Sequence, residues 1–208
     1  MSSPIHHPNY FAVRESRAKT GMHFRSFPVT ADRDGLICRQ VPRNASVLEI
    51  GAGERPFLPE LQRRGFVGNF RTMDIDRKQL HDFYSISDVC GFYDAVIMRE
   101  VAEHLERPLF YQYLDKISGV LSPGGVLALT TPNPWCPSWM WADYTHISPW
   151  PPADMIGILD SFGFEATIHR VIWPSRWLWL KRLYWGVHSR CYDFDFAGSY
   201  VAIGCSRR

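Results

Sequence analysis

Long apolar runs are missing from this 208-residue chain. No stretch reaches the about 20 apolar residues that a membrane-spanning helix needs. Met1 to Tyr10 is polar and lacks the apolar centre of a secretory leader. Paired cysteines are missing too: Cys38, Cys90, Cys136, Cys191 and Cys205 are scattered with no CxxC spacing. They read as free thiols in a reducing compartment rather than as a disulfide frame. No strong charge of either sign is present, since 23 Lys and Arg against 21 Asp and Glu leave a net +2. That balance is too mild to announce a nucleic-acid surface. Neither an internal repeat nor a low-complexity segment occurs. The expectation is a cytoplasmic protein. One scarcity is local: all eight tryptophans lie between Trp135 and Trp185, and none precedes them.

What is present is 46% hydrophobic residues, enough for a core, on a length that favours one domain. From Ser46 onward, strand and helix patterns alternate. Strands are expected over Val47–Ile50, Phe70–Asp76, Tyr93–Met98, Val126–Thr131, Phe164–Ile172 and Tyr200–Cys205. Helices are expected over Pro56–Arg64, along the Leu109–Leu121 stripe and along Met155–Phe162. A third strand should fall within Leu80–Asp88, although its pattern is poor. The fold class is therefore α/β: a doubly wound, mostly parallel seven-stranded sheet in a single domain. Residues 1–45 read as an N-terminal helical cap, with a basic helix over Phe11–Arg25 and a second over Ala31–Gln40. Residues 46–208 form the main domain. Within it, 133–152 is a proline- and tryptophan-rich loop with the character of a lid, and 173–192 is a Trp-rich insertion. The insertion mixes Arg176, Lys181, Arg182 and Arg190 with aromatics, which fits peripheral membrane contact or a cover helix.

The chain is organised around Ser46-Val47-Leu48-Glu49-Ile50-Gly51-Ala52-Gly53-Glu54-Arg55-Pro56. A short aliphatic strand turns on two glycines into a helix start, which lets a ligand approach the backbone closely. In open parallel sheets ligands sit beyond the carboxyl ends of the strands. Asp74 closes the second strand, where a carboxylate can accept both hydroxyls of a ribose. Arg99 and Glu100 follow the fourth strand, and Thr130–Asn133 closes the fifth. A nicotinamide-binding fold would want glycine where Pro56 stands.

The ordered set resembles the class I S-adenosylmethionine-dependent methyltransferases. Val47–Gly53 is similar to their first motif and Asp74 to their ribose carboxylate. Phe92–Val96 with Glu100-Val101-Ala102-Glu103-His104-Leu105 is similar to their fourth strand and its exit. Leu121–Gly125 and Thr131-Pro132-Asn133 are similar to the borders of their fifth strand. The resemblance, over roughly residues 46–172, implies S-adenosylmethionine as cofactor, bound by Glu49, Gly51, Ala52, Gly53, Asp74, Ile75, Asp82, Phe83 and Arg99, with Asp88 as the alternative at the adenine end. Arg55 replaces the family's third glycine; it either crowds the methionine tail or meets its carboxylate.

Methyl transfer from a sulfonium needs proximity and a deprotonated nucleophile more than it needs an acid. Glu100, Glu103 and His104 stand at i, i+3 and i+4, so a helix would present them together; His146 lies in the loop after the fifth strand. His104, His146 and Glu100 are the catalytic candidates. Glu100, Glu103, His104 and His146 also form a candidate ligand set for Mg²⁺ or Zn²⁺. That set resembles the metal site of small-RNA 3′-end 2′-O-methyltransferases and of some quinone-ring O-methyltransferases. The expected activity is O-methylation of a small or lipid-linked acceptor. The alternatives are a non-catalytic binding module on a decayed fold and a metal-dependent RNA 2′-O-methyltransferase.

Overall fold

The computed structural model describes residues 24–173 and 194–207, together with residues 8, 11, 13–15, 18, 184, 186, 187 and 191. Most of the expected basic helix over 11–25 and of the Trp-rich insertion 173–192 therefore lies outside the described residues.

Seven strands form one sheet in the order β1-β6-β7-β5-β4-β2-β3. They are β1 (Val29–Thr30), β2 (Ser46–Ile50), β3 (Asn69–Met73), β4 (Tyr93–Arg99), β5 (Leu121–Pro132), β6 (Phe164–Val171) and β7 (Ser199–Ser206). β2 pairs in parallel with β3 and with β4, β4 with β5, and β1 with β6. β7 runs antiparallel between β5 and β6. Both faces are buried, and side-chain alternation divides the core in two. Leu48, Val96, Met98, Leu127, Leu129 and Tyr200 face one cluster with Phe110, Leu114 and Ile117 of α3 (Arg107–Val120) and Met155 and Leu159 of α5 (Pro152–Ser161). Val47, Ala95, Ile97, Ala128 and Val201 face the other, with Ile37 of α1 (Arg33–Gln40) and Leu61 of α2 (Leu58–Arg63). A four-residue helical turn, α4 (Pro137–Met140), sits in the loop after β5.

Local chemistry sets the boundaries. Asp32 caps α1 by accepting the Gly35 N–H at 2.9 Å. β4 is followed by α3, which passes directly into β5. Between Tyr93↔Leu121 and Ala95↔Val126 the register shifts, so Ser122–Gly125 bulges out, with Gly124 at φ 70°. The expected break at Pro123-Gly124-Gly125 thus lies inside the strand's span.

One strand is not where the sequence places it. Leu80–Asp88 touches β3 through a single bridge, Met73 with Phe83, and then closes in a 3₁₀ turn at Ile86–Asp88. The stretch has no period-two apolar pattern to bury, and the Asp82 carboxylate takes the Thr72 N–H at 2.8 Å. The seventh strand is instead β1, which extends the opposite edge from within residues 1–45.

Candidate active site

The turn after β2 needs its glycines for different reasons. Gly51 has φ 73°, and a Cβ there would meet Val101 Cγ2 at 2.1 Å; Gly53 has φ 52° and faces open space. The Gly51 N–H donates to Met73 O at 2.8 Å, which ties the turn to the end of β3. Ala52 is buried beneath it. Glu49 is fully buried and wholly occupied. Its Oε2 accepts the Phe57 N–H at 2.6 Å, and its Oε1 accepts Arg99 Nε and Nη2 at 3.0 and 2.8 Å. Burial pushes its carboxyl up, while Arg99 and the Phe57 N–H pull it back. Arg99 also donates to Arg55 O at 3.0 Å and stacks over the Phe57 ring. Glu49 and Arg99 therefore brace the loop against the start of α2, and the Phe57 N–H is one that the helix start does not offer outward.

Beyond β3, Asp74 Oδ2 accepts the Gly53 N–H and Oδ1 accepts the Asp76 N–H, each at 2.8 Å. An ionised carboxylate has about four lone-pair sites, so both oxygens retain capacity for hydroxyl donors. Ile75, next to it, is 75% exposed, an apolar side chain beside the turn. Asp82 serves Thr72, and Phe83 is buried in the core with its backbone bonded to Asp74 and Thr72. Asp88, the alternative to that pair, sits in the 3₁₀ turn and accepts from Ser87 Oγ.

The exit of β4 departs from the helical expectation. Glu100 adopts φ 51°, and among the described residues it is the one non-glycine residue with positive φ. Its N–H donates to Thr130 O at 3.0 Å, and Thr130 Oγ1 donates to its Oε1 at 2.8 Å. Only then does a short 3₁₀ turn, Ala102–His104, begin. Glu100 is thus held toward β5, with Arg33 Nη1 at 3.8 Å, and is not among the residues whose donor atoms converge. Those three converge: one donor atom each from Glu103, His104 and His146 lies within 4.8 Å of the others. The two imidazole rings meet edge to face at 4.9 Å.

Their orientation is set by carbonyls. His104 Nδ1 lies 3.2 Å from Thr145 O, and His146 Nδ1 lies 2.9 Å from Met140 O. A carbonyl can only accept, so both Nδ1 atoms carry the proton and each neutral ring keeps its lone pair on Nε2. Thr145 Oγ1, 3.0 Å from His104 Nδ1, donates to Asp143 Oδ1 at 2.7 Å. Glu103 is fully buried; Thr131 Oγ1 donates to its Oε2 at 3.0 Å, while Oε1 has no partner. Burial and the charge of Glu100 push its carboxyl up to about 9. Its backbone oxygen accepts the N–H groups of Ile147 and Ser148, which ties the loop carrying His146 to the β4 exit.

The aromatic loop divides into base and rim. Trp150 is core rather than lid: its Nε1 donates to Ala102 O, the Tyr200 hydroxyl donates to its carbonyl, and it packs on Phe110 at 4.5 Å. Trp141, Tyr144 and Ile147 are exposed on the rim. The base is held by a buried group that sequence reading missed. Arg170 Nη1 donates to Asp195 Oδ1 at 2.8 Å, Asn133 Nδ2 donates to Asp195 Oδ2 at 2.9 Å, and Arg170 Nε donates to Phe27 O. An arginine inside a strand of otherwise apolar inward positions was the available signal. Asp143 and Thr145 were also missed; Asp-x-Thr before a histidine is a turn signal that sequence alone can offer.

Residues 30–169, more than half of the chain, match the family described as "Methyltransferase domain". The structure resembles an S-adenosylmethionine-dependent methyltransferase from Archaeoglobus fulgidus, with 15% identity, 95% of this chain and 100% of that one covered, and a TM-score of 0.67. It also resembles 1,6-didemethyltoxoflavin-N1-methyltransferase from Burkholderia thailandensis, solved with bound 1,6-didemethyltoxoflavin and S-adenosylhomocysteine (13%, 100% and 94%, 0.60). A third is the N-methyltransferase NodS from Bradyrhizobium japonicum (14%, 97% and 100%, 0.55). No curated protein matches the chain by sequence. The chain belongs to the methyltransferase-domain family and is a class I S-adenosylmethionine-dependent methyltransferase. Among the described residues no helix is long and apolar enough to cross a membrane.

Proposed function

We propose that this enzyme methylates an oxygen of a small or lipid-linked acceptor, with His104 or His146 as the base. The observation that carries this reading is the pair of imidazoles with Nδ1 tied to carbonyls beside the β4 exit. In this reading the ribose hydroxyls donate to Asp74, Ile75 lies against the adenine, and Gly51 to Gly53 face the sulfonium's carbon chain. Glu49 and Arg99 hold the loop rather than the ligand, and Asp82 and Phe83 support Asp74 through Thr72 and the backbone. The acceptor oxygen forms the new bond to the methyl carbon as the sulfur–carbon bond breaks. The sulfur leaves as a neutral thioether, and the acceptor's proton passes to an imidazole Nε2. Trp141, Tyr144 and Ile147 form an apolar wall for the acceptor.

Glu103, His104 and His146 also fit a divalent metal. Two imidazoles and a carboxylate are a donor set suited to Zn²⁺ and its neighbours more than to Mg²⁺, and the orphaned Oε1 of Glu103 would gain a partner. Both histidines already donate through Nδ1 to a carbonyl, the support that ligating histidines require. Such an ion would acidify the acceptor hydroxyl. The test is transfer of isotope-labelled methyl to matched panels of phenolic, alcoholic and amine acceptors, with and without metal stripping. Transfer to hydroxyls that is lost in His104→Ala and His146→Ala supports the reading; transfer to amines alone overturns it.

A further inference from the structure

We propose that Arg55 seats the α-carboxylate of the cofactor's amino-acid end, an inference that rests on the S-adenosylmethionine-dependent class. Beside the glycine turn opens a cleft of about 420 Å³, lined among others by Asp34, Glu54, Arg55, Phe57, Arg63 and Arg99. Three arginines line it, and two of them are paired. Arg99 is paired with Glu49 and Arg63 with Glu60, both at 2.8 Å. Arg55 has no ion-pair partner among the described residues. Its backbone is nonetheless fixed, because its carbonyl accepts from Arg99 and the Phe57 N–H two residues on is held by Glu49. A guanidinium on a braced loop, two residues past a glycine that faces open space, is a prepared fork for a carboxylate. Glu54 lines the same cleft and also has no ion-pair partner among the described residues, so it offers the opposite charge to an α-ammonium. An amino-acid end carries one group of each sign. Arg55, which stands in place of a glycine, thus converts steric freedom into recognition of the tail.

Two ligands separate this from the rest of the cofactor site. S-adenosylhomocysteine carries the amino-acid end; 5′-deoxy-5′-methylthioadenosine has the same nucleoside and thioether without it. In calorimetric titration of the full chain, Arg55→Ala should weaken S-adenosylhomocysteine about 10- to 100-fold, the range for a charge-assisted pair. It should leave methylthioadenosine unchanged, and Arg55→Lys should recover part of the loss. An unchanged ligand-free melting temperature, expected for an exposed side chain, shows that the variants fold. Equal weakening of both ligands would mean a disturbed loop, and unchanged or tighter S-adenosylhomocysteine would mean that Arg55 merely crowds the tail; either overturns the proposal. If the wild type binds neither ligand, the cofactor reading itself falls and the proposal falls with it.

Discussion

The carboxyl edge of the sheet has two halves, and their polar groups are treated differently. On the β2–β3 side three carboxylates already hold the chain's own donors: Glu49 those of Arg99 and Phe57, Asp74 those of Gly53 and Asp76, Asp82 that of Thr72. On the β4–β5 side Glu100 sits at positive φ, Glu103 keeps a buried oxygen without a partner, and two histidine rings face each other. A left-handed non-glycine residue costs about 1–3 kcal/mol, and an unsatisfied buried polar group about as much. The first half is a turn braced by the chain itself. The second holds strain and unmet bonding capacity, as reacting ends of active sites do.

The sharpest way to break the second half is from beneath. Arg170→Met leaves Asp195 buried without its counter-charge. Removing one member of a buried pair costs about 3–5 kcal/mol. Urea unfolding should show a loss of that size, and Arg170→Met with Asp195→Leu should recover most of it. A loss under 1 kcal/mol would mean that Asn133 and the Ala197 N–H suffice for Asp195.

Next in size is the pH response of Glu103. Its carboxyl is raised in the folded state to about 9 from an ordinary value of 4.5. The folded protein therefore holds a proton that the unfolded chain has released. The stability from this group is complete below pH 4.5 and is lost as pH rises toward about 9, at roughly 1.4 kcal/mol per pH unit between. Urea midpoints of metal-stripped protein at pH 6 and pH 8 should show the slope, and Glu103→Gln should flatten it. A wild-type profile that is already flat would show that the carboxyl is ionised in the fold.

The braced turn is probed by Gly53→Ala. At φ 52° a Cβ adds strain of about 1–2 kcal/mol, and it would occupy the open approach side. S-adenosylhomocysteine affinity should fall about tenfold or more, whereas an alanine on the β4–β5 side, Thr145→Ala, should leave it alone. Thr145→Ala carries the smallest effect: a His104 no longer steadied by the Thr145 hydroxyl should lower turnover or metal affinity about tenfold, the lower end for loss of such support. Loss of cofactor affinity in that variant would contradict the division of the edge into two halves.

Legibility followed the same line. The glycine turn, the strand-end aspartate and the buried aliphatic strand could be read because they are local patterns, each complete within a few residues. The braces could not: Glu49 and Arg99 read as cofactor contacts, whereas their attachment to one another spans two strands. The β4–β5 half depends on Thr130 holding Glu100, on Thr145 holding His104 and on Arg170 meeting Asp195, contacts between distant segments that periodicity does not report. The expected helix over Glu100–His104 failed for that reason, since the i, i+3, i+4 spacing was real but Thr130 claimed the first residue. Trp150 was assigned to the lid by its neighbours' composition, yet its indole N–H had a carbonyl to reach in the core.

The place of β7 in the sheet has a consequence for how the molecule assembles. Residues 199–206 insert between β5 and β6, and β6 alone carries β1. Until β7 is in place, β5 and β6 each expose a bare hydrogen-bonding edge, and Val29–Thr30 have nothing joined to the sheet to pair with. Half the sheet therefore waits on one long-range event, the kind of closure that makes folding slow and leaves nascent or partly unfolded chains prone to edge-to-edge association.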